Sequence, residues 1–388
     1  MSAATSLVPE TFAQAAAALR AAGAEGQRVR IVGAATKSRW GRADAPSDVE
    51  LHTGALDSIL AHNAGDMTAT LQAGVPLADA QEAFAQAGQM LSLDPPIAGA
   101  GDVLGGLRGA TIGGIVATAD SGPLAHRYGG PRDLIVGATI ALADGTVAKS
   151  GGTVIKNVAG YDIAKLMAGS FGTLGLLLSV NMRLHPRPER TATVVGLTDN
   201  ARTLQQAAHA LATAPAELEA LDVGWRDGRG RLLAQVAGPR SEPRGVRLAG
   251  ELRNAGLEQV ELLVDGGSEL WDAQRRAQRS STHATVRVAA RASELASLVA
   301  TVQRCDGSLV GRAARGHSWL TLAPASIAQL RSELPAGATA TVQDLPGEGA
   351  REDPWGPVQP ALLDLTRRLK LRFDPTGTCN PGIFVGGI

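Results

Sequence analysis

Cysteine is scarce in this sequence: two thiols, Cys305 and Cys379, stand among 388 residues, and neither belongs to a Cys-x-x-Cys pair. A disulfide framework is excluded. Net charge is missing too, since 37 basic residues balance 37 acidic ones, and no basic run is interleaved with aromatics. Nucleic acid is therefore not an expected partner. No uninterrupted apolar stretch approaches the roughly 20 residues of a membrane-spanning helix, so no integral membrane segment is expected. The seven histidines, His52, His62, His126, His185, His209, His283 and His317, are scattered, without paired metal-ligand spacing or a Glu-His dipeptide, and no metal site is expected from them. The common nucleotide fingerprints are absent as well. Gly99 and Gly101 begin a GxG, but Leu104 stands where the third glycine of GxGxxG would fall, and no GxxxxGK[ST] occurs.

What the chain has in quantity is glycine, 47 residues, concentrated in particular stretches. "GGLRGATIGGIVATADSG", Gly105 to Gly122, also carries Leu107, Ile112, Ile115 and Val116, so it is unlike a polar flexible linker and calls for burial. Each glycine in regular structure costs about 0.5–1 kcal/mol against alanine. Two readings offset that cost: tight packing of small residues, or a ligand lying on backbone amides.

The length suits two or three domains. The start, with Glu10, Gln14 and Arg20 among Ala and Leu, lacks a basic n-region and reads as an amphipathic helix rather than a signal peptide. A cytoplasmic chain is expected, with peripheral attachment at the inner membrane through a complex as the alternative. "RVRIVG" (28–33) and "TATLQAG" (68–74) read as strands, and Pro76 opens a helix with Leu77, Ala80 and Phe84 on one face and Gly88 as its stop. "DLIVGATIALADGTVAKSGG" reads as two strands around an Asp144-Gly145 turn. In "LLLSVNMRL", Leu176, Leu178, Val180, Met182 and Leu184 recur at period two, which predicts a half-buried strand with these five on one face.

After the proline pair of "HPRPE" the texture changes. From Thr191 to about Leu345, strand-like runs alternate with Ala/Leu/Arg helices, which predicts a separate α+β unit on an antiparallel sheet. The expected division is 1–188, 189–350 and a C-terminal segment 351–388 that holds a last helix, "PALLDLTRRLKLRF", and a compact ending, "DPTGTCNPGIFVGGI".

The ordered set "GAATKSRWG", "GATIGGIVATADSG", "RDLIVGATIALADG", "KNVAGYDIAKLMAGSFGTLG" and "FDPTGTCNPG" resembles the FAD-binding domain of the vanillyl-alcohol oxidase and p-cresol methylhydroxylase type. Within that family it is most similar to the FAD-binding E subunits of bacterial glycolate oxidases. The resemblance covers roughly Val29–Pro188 plus Leu369–Gly382, and it implies a two-lobed α+β FAD-binding domain with an inserted α+β cap on an antiparallel sheet. Gly33, Ala34, Ala35, Thr36, Lys37, Ser38 and Gly41 match the pyrophosphate loop, with Ala34 and Ala35 where the family has glycine. Thr36 and Ser38 would add hydroxyl donors there; Lys37 would offset phosphate charge or be a solvated loop lysine.

Thr111, Ile112, Gly113 and Gly114 match the second FAD segment, flanked by Pro96, Gly106, Ala117, Gly122, Asn157 and Gly160. Gly172, Leu174, Gly175 and Leu176 match the adenosine side. Asn380 would return to the flavin, and without the resemblance "NPG" reads as a simple turn. Covalent members often carry a histidine in the pyrophosphate loop, and none stands between Gly33 and Gly41, so noncovalent FAD is implied; Cys379 reads as a small buried hydrophobe.

Oxidation of a small 2-hydroxy acid needs a base for the hydroxyl proton and a cation for the carboxylate. His126 and Arg127 are the local candidates, with Arg132 and Asp133 read as a loop-fixing ion pair. The implied partners are a second FAD-containing catalytic subunit and an iron–sulfur subunit of a glycolate oxidase. The alternative is a self-sufficient dehydrogenase of a 2-hydroxy acid such as D-lactate.

Overall fold

The computed structural model describes residues 4–96, 109–153, 161–346 and 353–388. The expected N-terminal helix runs over Phe12–Ala24. Thr11 and Gln14 close its first turn as a capping box, each side chain accepting from the other's backbone N–H at 3.2 and 3.1 Å. Its Ala15, Leu19 and Ala22 face inward onto a three-stranded parallel sheet ordered Thr5–Leu7, Val49–His52, Val29–Val32.

A five-stranded antiparallel sheet follows, ordered Ile59–Asn63, Thr68–Gln72, Leu176–Arg183, Ile135–Ala141, Val147–Gly151. The central strand corrects the sequence reading: it is buried on both faces through most of its length rather than half-buried. Leu176 and Leu178 join Leu19, Leu51 and Ala141 in one core, whereas Leu177, Val180, Met182 and Leu184 join Phe84, Ile112 and Ile115 in another. The ladder slips between Thr139 and Ile140, so two residues of one strand oppose a single step of its neighbour. A bulge of this kind exchanges the two faces, which is why the five expected residues split between two cores.

The cap is an eight-stranded antiparallel sheet ordered Glu258–Val264, Thr191–Thr198, Arg229–Ala237, Ala220–Arg226, Ser308–Arg312, His317–Leu322, Ala284–Ala289, Thr339–Asp344. One face buries Val194, Leu221, Val223, Leu232, Val286 and Leu320 with the apolar sides of helices such as Ala201–Thr213 and Leu295–Arg304. The other face carries a small apolar cluster, Val195, Ala220 and Leu233 under Trp271 of the helix Ser268–Arg276, and elsewhere turns polar groups toward the first lobe: Arg312 there donates to the Gly122 and Ser121 carbonyls at 3.1 and 2.8 Å.

After the helix Pro360–Phe373 the chain returns to the first sheet. Cys379 bridges Val29 in parallel, and Val29 and Asn380 exchange N–H donors with the Thr378 and Val29 carbonyls at 2.8 Å each. Among the described residues no helix is long and apolar enough to cross a membrane.

Candidate functional site

The strand Val29–Val32 ends in a loop that turns through Ala35 at φ 56°. The N–H groups of Ala34, Ala35, Thr36 and Lys37 find no acceptor among the described residues, whereas Ser38 and Trp40 donate back to Ala35 and Lys37. Successive free amides in a tight turn form a concave anion cradle. They form one wall of a cleft with about 910 Å³ of empty space, partly open to solvent, whose other walls come from Thr111, Gly113, Gly114, Ala117, Thr118, Ser170–Gly172 and Asn380.

An alanine in left-handed geometry is strained by about 1–2 kcal/mol, and glycine there loses about 0.5–1 kcal/mol in chain entropy. Ala35→Gly is expected to raise stability by a net ~0.5–1 kcal/mol, read as a higher urea midpoint.

Of the residues singled out in the sequence, Gly33, Ala34, Ala35, Thr36, Lys37, Ser38, Thr111, Gly113, Gly114, Ala117, Gly172, Gly175, Leu176 and Asn380 line this cleft together. Gly41, Pro96, Ile112, Gly122 and Leu174 do not. Ile112 and Leu174 are core residues. Gly122 lies so tightly against Asp94 that a Cβ would come within 1.7 Å of its carbonyl oxygen. Gly106, Asn157 and Gly160 fall outside the described residues.

Lys37 differs from the solvated alternative: its side chain is 6% exposed, with Nζ 3.2 Å from Asp120 and 5.8 Å from the Trp40 ring. Asn380, itself in left-handed geometry at φ 42°, is a three-way fastener. Its Oδ1 accepts from Ile31 N–H at 2.7 Å and its Nδ2 donates to the Phe171 carbonyl at 2.6 Å, so it fixes two walls of the cleft relative to each other. Cys379 is fully buried in the core beside it, and burial pushes its thiol up to about 12.

His126 and Arg127 lie away from the cleft wall. Arg127 pairs with Glu219 at 3.4 Å and donates to the Glu217 carbonyl, and Tyr128 also donates to Glu219, so this segment joins the two lobes. His126 is half-buried with Nδ1 unpartnered, and burial, then Arg315 and Arg127, holds it below the ordinary histidine range. Asp133 accepts from Gly130 N–H at 2.8 Å and lies 3.9 Å from Arg315. Arg132 is therefore not the loop-fixing partner, because adjacent residues diverge and the carboxylate closes its own turn.

Two other histidines are shifted further. Burial, followed by Arg183 for His185 and by Arg287 for His317, pushes each down to about 4. Imidazole NMR is expected to show both neutral until the pH nears 4. The unfolded chain takes these protons near 6.5, so each costs stability as the pH falls from there toward 4.

Sequence reasoning missed Arg30, Thr53, Thr118, Met167, Ser170 and Phe171 on the cleft wall, and one cap arginine at its edge. Arg279 pairs with Asp344 within the cap and reaches across to donate to the Thr36 carbonyl at 3.2 Å and cover the Trp40 ring at 5.2 Å. Among the described residues no cluster of three His, Cys, Asp or Glu is placed to hold a metal ion.

The donor set can be tested for an anionic dinucleotide. The four free amides suit a pyrophosphate, and a Cβ on Gly114 would meet only Thr111 Oγ1, at 3.2 Å, so this glycine leaves the cleft wall bare. Residues 3–151 match a family described as FAD binding domain. The chain carries an FAD-binding domain.

This FAD-binding domain is accompanied by relatives named as oxidase subunits. Glycolate oxidase subunit GlcE of Escherichia coli is 38% identical over 141 residues, 36% of this chain and 37% of that protein. Glycolate oxidase subunit GlcD of Bacillus subtilis is 33% identical over 170 residues, 43% of this chain and 34% of that protein. The matches thus span little more than a third of these curated relatives. Among solved structures, alkyldihydroxyacetonephosphate synthase superposes with a TM-score of 0.70 at 14% identity, covering 97% of this chain and 76% of that one. The architecture is the p-cresol methylhydroxylase type, FAD-binding domain plus cap.

Proposed function

We propose that the chain is an FAD-dependent oxidoreductase subunit that takes part in oxidising glycolate to glyoxylate, within a complex that also holds a second FAD-containing catalytic subunit and an iron–sulfur subunit. The observation that carries this reading is the cleft itself: free amides at Ala34–Lys37 line one wall and suit the pyrophosphate of an anionic cofactor, with Arg279 of the cap held on the Thr36 carbonyl at its edge. The likeness to the two glycolate oxidase subunits supplies the substrate class.

When bound, FAD supplies the hydride acceptor for the CH–OH group. The residues of this chain hold and shield it. The loop amides of Ala34–Lys37 take the pyrophosphate, Gly114 and Ala117 leave room beside it, and Asn380 keeps the Ile31 and Phe171 walls in register. Residues 189–350 serve as the cap that excludes water, and 351–388 return to complete the FAD-binding domain. With no histidine between Gly33 and Gly41 and with Cys379 sealed in the core, the flavin is held without a covalent bond.

The purified chain is therefore expected to release its yellow colour into the supernatant on acid precipitation. Alone it reduces that flavin negligibly with glycolate or D-lactate, and glycolate-dependent dye reduction appears on co-expression with the two partner subunits. Colour retained in the pellet would overturn noncovalent binding. Rapid, stoichiometric bleaching of the isolated chain by either acid would replace the subunit reading with a self-sufficient 2-hydroxy acid dehydrogenase.

A further inference from the structure

The helix Pro360–Phe373 is held to the molecule along one side. Lys370 is its single fully buried residue, Leu363 lies against Gly386, and Phe373 rests on the core of the FAD-binding domain. Much of the remaining circumference is open, and it carries leucine: Leu362 is 55% exposed and Leu365 46%, with Leu369 half-buried beside them. Spaced i, i+3 and i+7, these three leucines fall within an arc of about 60° at about 100° per residue. Leu371 is exposed on another side of the helix and stands alone, as single surface leucines commonly do.

Charge borders the leucines on their open side. Arg372 and Arg368 follow Leu365 around the helix, both exposed, and among the described residues neither makes a hydrogen bond or an ion pair. The other charges of the helix are engaged: Arg367 with Asp364 at 3.7 Å, and Lys370 with Asp374 at 2.6 Å. The helix thus offers two free guanidinium groups and no free carboxylate. Leucines at alternating spacings of three and four are the anchors of helix against helix, and unpaired cations at their edge call for carboxylates on the partner. A second copy of this helix supplies none, because Asp364 lies well around the helix from the leucines and is already held by Arg367. A lipid surface is the poorer fit as well. An apolar arc of about 60° is a narrow seam, whereas an ordinary amphipathic face spans about 100° or more.

We propose that Leu362, Leu365 and Leu369 form a docking seam for another polypeptide, an amphipathic helix whose apolar side is edged by Asp or Glu residues that pair with Arg368 and Arg372. That this helix belongs to a partner subunit of the glycolate-oxidising complex rests on the function proposed above; the seam itself rests on this chain. A stable interface buries about 1,200–2,000 Å², more than one side of a short helix provides. The seam is therefore the apolar centre of a wider contact, and the two arginines form its charged rim.

The test uses the full chain with the second FAD-containing subunit and the iron–sulfur subunit. Assembly is read as mass by light scattering and as association kinetics on each immobilised subunit, and glycolate-dependent dye reduction is read separately. Leu362→Ala combined with Leu365→Ala is expected to weaken assembly roughly 30-fold, as two half-exposed leucines lose their burial. Arg368→Glu combined with Arg372→Glu should slow association and flatten its dependence on salt, the signature of a rim charge. All four side chains stand in solvent, so the isolated variants should keep the wild-type urea midpoint and FAD content. Val246→Asp, at an exposed position of the cap helix Ser241–Asn254, should leave assembly unchanged. Assembly that ignores the leucine pair, or an association rate that ignores the arginine pair, would overturn the seam. So would an isolated chain that dimerises until the leucines are removed, which assigns the seam to a second copy, or one that binds phosphatidylglycerol vesicles through them, which assigns it to lipid. A wild-type chain that binds neither subunit overturns the seam and the complex together. Otherwise the two readings fail apart: a complex that oxidises glycolate yet assembles normally in both variants removes the seam alone, and one that assembles through the seam yet leaves glycolate untouched removes the proposed function alone.

Discussion

Lys370→Met is expected to destabilise the FAD-binding domain by about 3–5 kcal/mol, the range for removing one member of a buried ion pair. The ammonium of Lys370 is surrounded by acceptors: the Thr173 carbonyl at 2.8 Å, Asp374 Oδ2 at 2.6 Å and the Cys379 carbonyl at 2.7 Å. Asp374 in turn accepts from the N–H groups of Thr378 and Cys379 at 3.0 and 2.7 Å, and its side chain is fully buried. Methionine would keep the stem but leave a buried carboxylate without its counter-charge and two carbonyls without the ammonium donor. Because the same clasp holds Cys379 against Val29 and Asn380 against Ile31, loss of FAD should accompany the fall in the urea midpoint. An unchanged midpoint and unchanged flavin content would show that the clasp carries little of the stability. Arg367→Gln, three residues away on an exposed face of the same helix, should change neither.

The second large effect separates two adjacent glycines. Gly114→Val should place its side chain in the cleft, since a Cβ there meets only the Thr111 hydroxyl. The expected result is a folded protein whose FAD affinity falls by about 1–3 kcal/mol, roughly 5- to 150-fold. Gly113→Val should fail differently. Its Cβ would lie 2.7 Å from the Ala73 Cβ and 2.8 Å from the Ala73 carbonyl oxygen, which accepts the Gly113 N–H at 2.8 Å. That variant should lose soluble protein or thermal stability before any question of cofactor arises. Circular dichroism with flavin quantitation distinguishes the two. Equal FAD affinity in wild type and Gly114→Val would remove this stretch from the cofactor site.

The contrast bears on how much of the site is legible in the sequence. "GATIGG" announces close approach, and both readings of it hold at different positions: Gly113 is small because another strand end touches it, Gly114 because the cleft lies beside it. Glycine reports that space is needed without reporting which side needs it. The same gap explains Gly122, whose neighbour is Asp94 rather than a ligand. Lys37 shows it from the polar side: a loop lysine reads as solvated until Asp120 and Trp40 are found against it.

Local sequence determined a large share of this protein. The capped helix Phe12–Ala24, the helix opened at Pro76, the hairpin around Asp144-Gly145, the change of texture after Pro188 and the last helix Pro360–Phe373 all follow from periodicity and turn chemistry, which act over a few residues. The motif order carried the FAD-binding domain with it. Tertiary structure alone decided the rest. A one-residue slip beside Thr139 exchanged the faces of the strand Leu176–Arg183, and no periodicity within a strand encodes the register of its neighbour. Likewise the alternation of "ATVRVAA" turns Arg287 away from the cap core, but only the docking of the two lobes brings it within the field of Asp120. Which charges meet across such a junction depends on contacts more than a hundred residues apart in sequence, as between Arg312 and Ser121 or Lys370 and Thr173, and those are set by packing rather than by local pattern.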